Sequence, residues 1–232
     1  MTSFVLVHGA WGGSWGFHKL RPLLWGAGHE VFTPSLTGIG EREHLTNPDI
    51  TLSTHIDDVT NLIRYEDLTD IVLLGFSYGG MVVTGAMAEV SDRVTHLVFL
   101  DALVPGDGDS VASLLGGLPP GDEERPWLIP AIPRSLATEE ETAWATARRS
   151  LQPQGTFTEA VSIPVPLEDL GCSLTYIKAT ADPGEEPDSA FYRAAEKAEA
   201  APTWSRHDIA TNHMVPLMEP DALAALLVDL TT

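Results

Sequence analysis

The run Ile71-Val72-Leu73-Leu74 leads straight into Gly75-Phe76-Ser77-Tyr78-Gly79 and then into an apolar segment starting at Gly80-Met81. This order predicts a buried strand, a sharp turn and a helix. Glycines on either side of the serine allow a strained strand-to-helix corner without Cβ clashes. Such a corner holds the Ser77 hydroxyl above the sheet edge and turns the Tyr78 amide toward the same space. A bare Gly-x-Ser-x-Gly is also what a helix packed closely on a strand requires, so the motif alone does not separate the two readings. The strand before it and the helix after it favour an exposed nucleophile.

Upstream, Phe4-Val5-Leu6-Val7 is a continuous apolar run of the kind buried on both faces in a parallel sheet, and it ends on His8-Gly9-Ala10-Trp11-Gly12-Gly13. A glycine-rich loop there lets a backbone amide approach a reacting carbonyl, and Ala10 is the position for a second oxyanion donor beside Tyr78. A phosphate cradle is the rival reading, but neither Gly-x-x-x-x-Gly-Lys-Ser/Thr nor Gly-x-Gly-x-x-Gly is present. His8 reads as a structural histidine bonded within its loop. Helices are predicted over 15–27, which stops at glycines, and over 52–65, with a strand at 29–34 between them.

Beyond the serine, the helix at 81–90 sets its partly positive N-terminus under Ser77. The strand Val94 to Leu100 delivers Asp101. From 105 to 166 prolines, glycines and charges interrupt any sheet pattern, which predicts a cap insertion over the nucleophile. Trp127, Trp144 and Phe157 are its candidate pocket walls, with Trp11 and Met214 from the flanking loops. The strand 174–180 delivers Asp182, and the strand 204–209 is followed by a loop carrying His213. About six strands alternating with helices predict one α/β domain over 1–232, a mostly parallel, doubly wound sheet with a small cap.

Ser77, Asp182 and His213 each fall just past a strand end, in an order compatible with a nucleophile, an orienting acid and a general base. His96 and His207 lie inside strands, and the other histidines come too early for the base. The acid has more than one candidate. Asp182 is preferred because it turns out of the strand beside the one that leads to His213, while Asp101 is the alternative. Asp188, six residues from Asp182, is a further carboxylate near the site, and Glu185 and Glu186 add two more that solvated loop charge would also explain.

The 13 Lys+Arg against 33 Asp+Glu leave a formal charge of −20, which argues against nucleic acid and anionic membrane surfaces as partners. A single cysteine, Cys172, excludes an internal disulfide and reads as a small core residue. No apolar run reaches membrane-spanning length and no signal-like block opens the chain, so a soluble, cytoplasmic protein is expected. No His/Cys/Asp cluster has metal-ligand spacing, and no cofactor is expected. A homodimer is left open.

Phe4-Val-Leu-Val-His-Gly-Ala-Trp11, Thr37-Gly-Ile-Gly-Glu-Arg42 with His44-Leu45, Gly75-Phe-Ser-Tyr-Gly-Gly80 and Asp101-Ala102 together resemble the small bacterial α/β-hydrolases related to plant methylesterases and hydroxynitrile lyases. The resemblance runs over nearly the whole chain. It implies a cofactor-free serine hydrolase acting on small esters with an apolar or aromatic part, and the oxyanion roles of Ala10 and Tyr78. Hydroxynitrile lyases of the group carry a lysine directly after the histidine and a threonine in the first loop, where this sequence has Met214 and Gly9. A lyase, lactonase, thioesterase or C–C bond hydrolase on the same residues, or a receptor that binds without turnover, are the alternatives.

Overall fold

The computed structural model describes residues 1–183 and 185–231; Gly184, placed by the sequence in the turn after Asp182, and Thr232 lie outside the described residues. Six strands make the main sheet: β1 (Ser3–Val7), β2 (Glu30–Phe32), β3 (Ile71–Phe76), β4 (Val94–Leu100), β7 (Ser173–Ala179) and β8 (Trp204–Ile209). They are ordered β2-β1-β3-β4-β7-β8 with every pairing parallel. The chain winds outward from β1 to β2 on one side and from β3 to β8 on the other. The order therefore reverses between β1 and β3, and the crevice at their carboxyl ends is where such a sheet accepts a ligand.

Alternation along the strands divides the core in two. Val5, Val7 and Leu73 point to one face with Met81 and Val83, while Phe4, Leu6 and Leu74 point to the other with Leu20, Leu24 and Leu223. The helix Leu52–Tyr65 buries Leu52, His55, Val59 and Ile63, a stripe at three- and four-residue spacing. Each such large apolar side chain adds about 1.5–3 kcal/mol by leaving water. The segment expected as one helix over 15–27 is a 3₁₀ turn, Ser14–Phe17, followed by a helix at Leu20–Gly26. Pro22 falls in that helix's first turn, where its missing N–H leaves no hydrogen bond unmade.

Between β4 and β7 the chain leaves the sheet. This segment holds short helices at Val111–Leu115, Glu139–Thr146 and Gly155–Thr158. It also holds two two-residue strands, β5 (Leu128–Ile129) and β6 (Gln152–Pro153), paired antiparallel.

Candidate active site

The turn after β3 is tight enough to exclude side chains at both glycines of the motif. A Cβ on Gly75 would lie 2.6 Å from the Gly79 carbonyl oxygen, and one on Gly79 would lie 2.5 Å from that of Val7. Ser77 between them has φ 56°, a left-handed conformation that costs an ordinary residue energy and is retained only where the surroundings enforce it. Here the Ser77 carbonyl accepts from Gly80 and Leu103 at 3.1 and 3.2 Å, and its amide donates to Leu100 at 3.2 Å. Trp11 and Asp101 also have positive φ, at 60° and 40°. Backbone strain thus collects at the carboxyl ends of β1, β3 and β4.

At this edge three side chains form a hydrogen-bonded chain. The Ser77 Oγ lies 2.8 Å from His213 Nε2, and His213 Nδ1 lies 2.6 Å from Asp101 Oδ2. With Asp101 ionised, Nδ1 carries the proton and Nε2 is free to accept from the serine. The His213 side chain is 8% exposed and its ring is held between Phe76 and Phe191, with centroids at 5.0 and 5.1 Å. Such an arrangement can draw the serine proton onto the ring and stabilise the resulting imidazolium.

The carboxylate on His213 comes from β4, so the preference for Asp182 is corrected. Asp182 Oδ2 instead accepts from Arg134 at 2.8 Å in the inserted segment. The physical reason lies in β7. Lys178 lies in the interior of this strand and is fully buried, with Nζ 2.8 Å from both Asp101 Oδ1 and Glu185 Oε2. The Ala179 amide also donates to Asp101 Oδ1, at 3.2 Å. Burial alone would push the Asp101 carboxyl up, but the hydrogen bonds and charges of His213 and Lys178 more than offset it and hold it below the usual carboxylate value. Burial likewise pulls Lys178 down, and Asp101 and Glu185 more than reverse that, raising it above an ordinary lysine. Glu185, which the sequence suggested was solvated charge, has a side chain 8% exposed and belongs to this buried network.

Ala10 and Tyr78, the expected oxyanion donors, line the same cavity as Ser77. Among the described residues neither Ala10 N nor Tyr78 N donates a hydrogen bond, and Tyr78 caps the helix Gly79–Val90, whose N-terminal dipole favours negative charge there. The inserted segment fixes the loop that carries Ala10. Gln152 Oε1 accepts from the Trp11 amide at 2.9 Å, the Ser150 amide donates to the Trp11 carbonyl at 3.2 Å, and the Trp11 indole donates to the Ile129 carbonyl at 2.9 Å.

Two further histidines are structural. His8 Nδ1 donates to the Gly9 carbonyl at 2.8 Å while Nε2 accepts from the Leu36 amide at 3.1 Å; its burial lowers its pKa. His55 Nε2 donates to the Thr37 carbonyl at 2.8 Å and Nδ1 accepts from the Tyr78 hydroxyl at 2.9 Å. Burial takes it down to about 4, so it is neutral near pH 7. Tyr78 is thereby held at its ring as well as its backbone. The Thr37-to-Arg42 motif is likewise a brace: Thr37 and Arg42 both bond Asp58.

A cavity of about 240 Å³ opens above Ser77 and His213, walled chiefly by apolar side chains including Trp11, Phe76, Phe157, Phe191 and Met214. The expected walls Trp127 and Trp144 are not among its lining. Trp144 packs edge-on against Trp15 and stacks with His18 and Arg148 elsewhere, and the Trp127 carbonyl accepts from Gln154. Among the described residues no group of three or more His, Cys, Asp or Glu is arranged to hold a metal ion, and no helix is long and apolar enough to cross a membrane.

A half-buried serine on a parallel-sheet corner, hydrogen-bonded to a buried histidine–carboxylate pair, defines the class of fold and site. Residues 4–226 match the alpha/beta hydrolase family, and the chain belongs to that family. It is 50% identical over 121 residues to a carbendazim hydrolyzing esterase from Nocardioides sp. strain SG-4G, a match covering 52% of this chain and 50% of that one. It is 32% identical over 122 residues to Methylesterase 8 from Arabidopsis thaliana, covering 48% and 42% respectively. The matched length is thus about half or less of these curated relatives. An extracellular α/β-hydrolase from a Paenibacillus species has the same fold, with a TM-score of 0.82 at 23% identity over 99% of this chain and 98% of that one.

Proposed function

We propose that the protein is a serine hydrolase of small carboxylic esters working through an acyl-enzyme. Ser77 attacks the ester carbonyl while His213 takes its proton. The oxyanion accepts hydrogen bonds from the amides of Ala10 and Tyr78, beside the helix N-terminus. His213 then returns the proton to the departing alcohol, and water repeats the sequence on the acyl-enzyme. Asp101 holds the imidazole tautomer and stabilises its charged form. The observation that carries this reading is the continuous Ser77–His213–Asp101 chain at 2.8 and 2.6 Å. The esterases among the relatives support the reaction class, and the apolar walls of the cavity support substrates with an apolar or aromatic part.

Met214 follows His213 and lines the cavity, so no ammonium group stands there to stabilise a cyanide-like leaving anion; ester hydrolysis is favoured over lyase chemistry. The test is turnover of 4-nitrophenyl esters by the wild type and by Ser77→Ala, with labelling by a serine-directed phosphonate. The expected result is loss of turnover and of labelling in a variant with unchanged unfolding. Undiminished hydrolysis by Ser77→Ala would refute the assignment.

A further inference from the structure

The wall of the cavity contains a cation that no acid among the described residues neutralises. Arg134 and Arg149 both line the space above Ser77, but their surroundings differ. Arg134 is paired with Asp182. Arg149 donates through Nη1 to the Ile132 carbonyl and sits with its guanidinium carbon 5.6 Å from the Trp11 ring centroid. Among the described residues no carboxylate forms an ion pair with it, although the chain holds 33 Asp and Glu against 13 Lys and Arg. Its charged neighbour is Arg134. Burial first, and then that like charge, bring the guanidinium down to about 10, so it is still charged near neutrality.

A half-buried guanidinium beside another cation, in a cavity with mostly apolar walls, is under-compensated. The hydrogen bond to Ile132 occupies one N–H of five and the indole face offers only a weak counter-field. The remaining donors form a planar fork matched to a carboxylate. The indole ring that packs against it belongs to the loop carrying Ala10, which puts the fork within the same cavity as the reacting serine.

We propose that Arg149 is an anion-recognition subsite, and that the preferred substrates are esters bearing a second, carboxylate group: hemiesters of dicarboxylic acids, or acyl esters of hydroxy acids. This rests on the ester-hydrolase reading of the same cavity and adds the substrate's charge to it. The carboxylate supplies the counter-charge that the protein withholds, and the apolar walls take the carbon chain between it and the ester. A neutral ester leaves the guanidinium uncompensated and drier than in the empty cavity.

Binding is measured by calorimetry in a Ser77→Ala background, so that no turnover is needed. Monomethyl adipate is compared with dimethyl adipate, and 4-acetoxybenzoate with its methyl ester; the first pair puts the charge on the acyl side and the second on the alcohol side. In at least one pair the anion is expected to bind about tenfold to a hundredfold more tightly than its neutral partner, the range for a charge-assisted hydrogen bond in a partly dry site. Arg149→Gln, which keeps a donor for Ile132, is expected to erase that ratio, and Arg149→Lys to retain part of it. Equal or tighter binding of the neutral ester in both pairs overturns the proposal whatever the variants do, and so does a ratio that survives Arg149→Gln. Turnover of the four esters with Ser77 intact separates the two readings. Charge-selective binding without hydrolysis refutes only the hydrolase reading, and hydrolysis with no charge preference refutes only the subsite.

Discussion

Replacing Lys178 by methionine keeps most of the buried stem and removes the charge that joins Asp101 to Glu185. In the wild type the ammonium bonds Asp101 Oδ1 and Glu185 Oε2, each at 2.8 Å, and the Ala179 carbonyl at 2.5 Å. Without it Asp101 retains His213 and the Ala179 amide, while among the described residues the Glu185 carboxylate retains only the Ser189 hydroxyl at 2.6 Å. Two buried carboxylates then face each other with no cation between them, and breaking a buried pair from one side costs about 3–5 kcal/mol. Catalysis should respond separately. Lys178 draws on the Asp101 charge from the side opposite His213, so its loss leaves that charge to act more strongly on the imidazole. The acidic limb of the kcat/KM profile is therefore expected to move to higher pH. Urea unfolding reads the first effect and ester hydrolysis between about pH 5 and 9 the second. Lys178→Met/Glu185→Gln should recover at least about 1 kcal/mol of the loss, because it removes the stranded charge. A single variant within about 1 kcal/mol of wild type, with an unmoved acidic limb, would show that the lysine is not coupled to the histidine.

The two aspartates should separate sharply. Asp101→Asn offers His213 an amide that favours the wrong tautomer, and kcat should fall by about 10⁴, as when another serine hydrolase's aspartate is made an amide. Asp182→Asn weakens a partly exposed pair with Arg134, so kcat should stay within about fivefold and stability within about 1 kcal/mol; side-by-side ester assays decide. For pH dependence, burial holds His55 at about 4 in the folded protein, below the unfolded value. The unfolded chain then binds the extra proton first, so stability present above about pH 6.5 is lost as pH falls toward 4, by about 3 kcal/mol from this residue. Buried His8 adds in the same direction, and Asp101, whose folded value is also lowered, adds a further loss below the ordinary carboxylate range. Urea unfolding at several pH values should show a shallower decline in His55→Gln; an unchanged slope would refute the assignment.

Local chemistry explains what the sequence made readable. The corner at Ser77 is written in adjacent residues, since Gly75 and Gly79 are required by contacts within the strand–turn–helix unit and with the neighbouring β1. The Ala10 loop follows a recognisable strand, and His213 is the histidine in the loop after the last strand. What the sequence left open depends on pairs far apart in the chain. Whether Asp101 or Asp182 meets the imidazole is decided by which carboxylate becomes buried beside a compensating cation, and Lys178 is 77 residues from Asp101. A lysine in the interior of a parallel-sheet strand was the available signal, because a fully buried ammonium requires carboxylate partners. Gln152, 141 residues from Trp11, gave no such signal. Trp127 and Trp144 were drawn into the pocket by size alone, whereas aromatic bulk serves equally to pack the inserted segment on the loops beneath it.

The displaced acid and the unpaired arginine are two consequences of one charge arrangement. His213 hangs over the ends of β4 and β7, where either strand can present a carboxylate to Nδ1. Lys178 on β7 turns to the β4 side and satisfies Asp101, and the Ala179 amide joins it; Asp101 is thereby ionised and oriented without help from the inserted segment. Asp182, one turn further along the chain, is released to bond Arg134. That pair neutralises one of the two arginines on the cavity wall and, among the described residues, leaves the other without a counter-charge. Had Asp182 oriented the histidine, Arg134 would also have lacked its acid, and the cavity would have carried two free cations opposing the imidazolium of the proposed reaction. Moving the acid to β4 therefore confines the uncompensated charge to Arg149, on the inserted segment, where a substrate carboxylate can meet it.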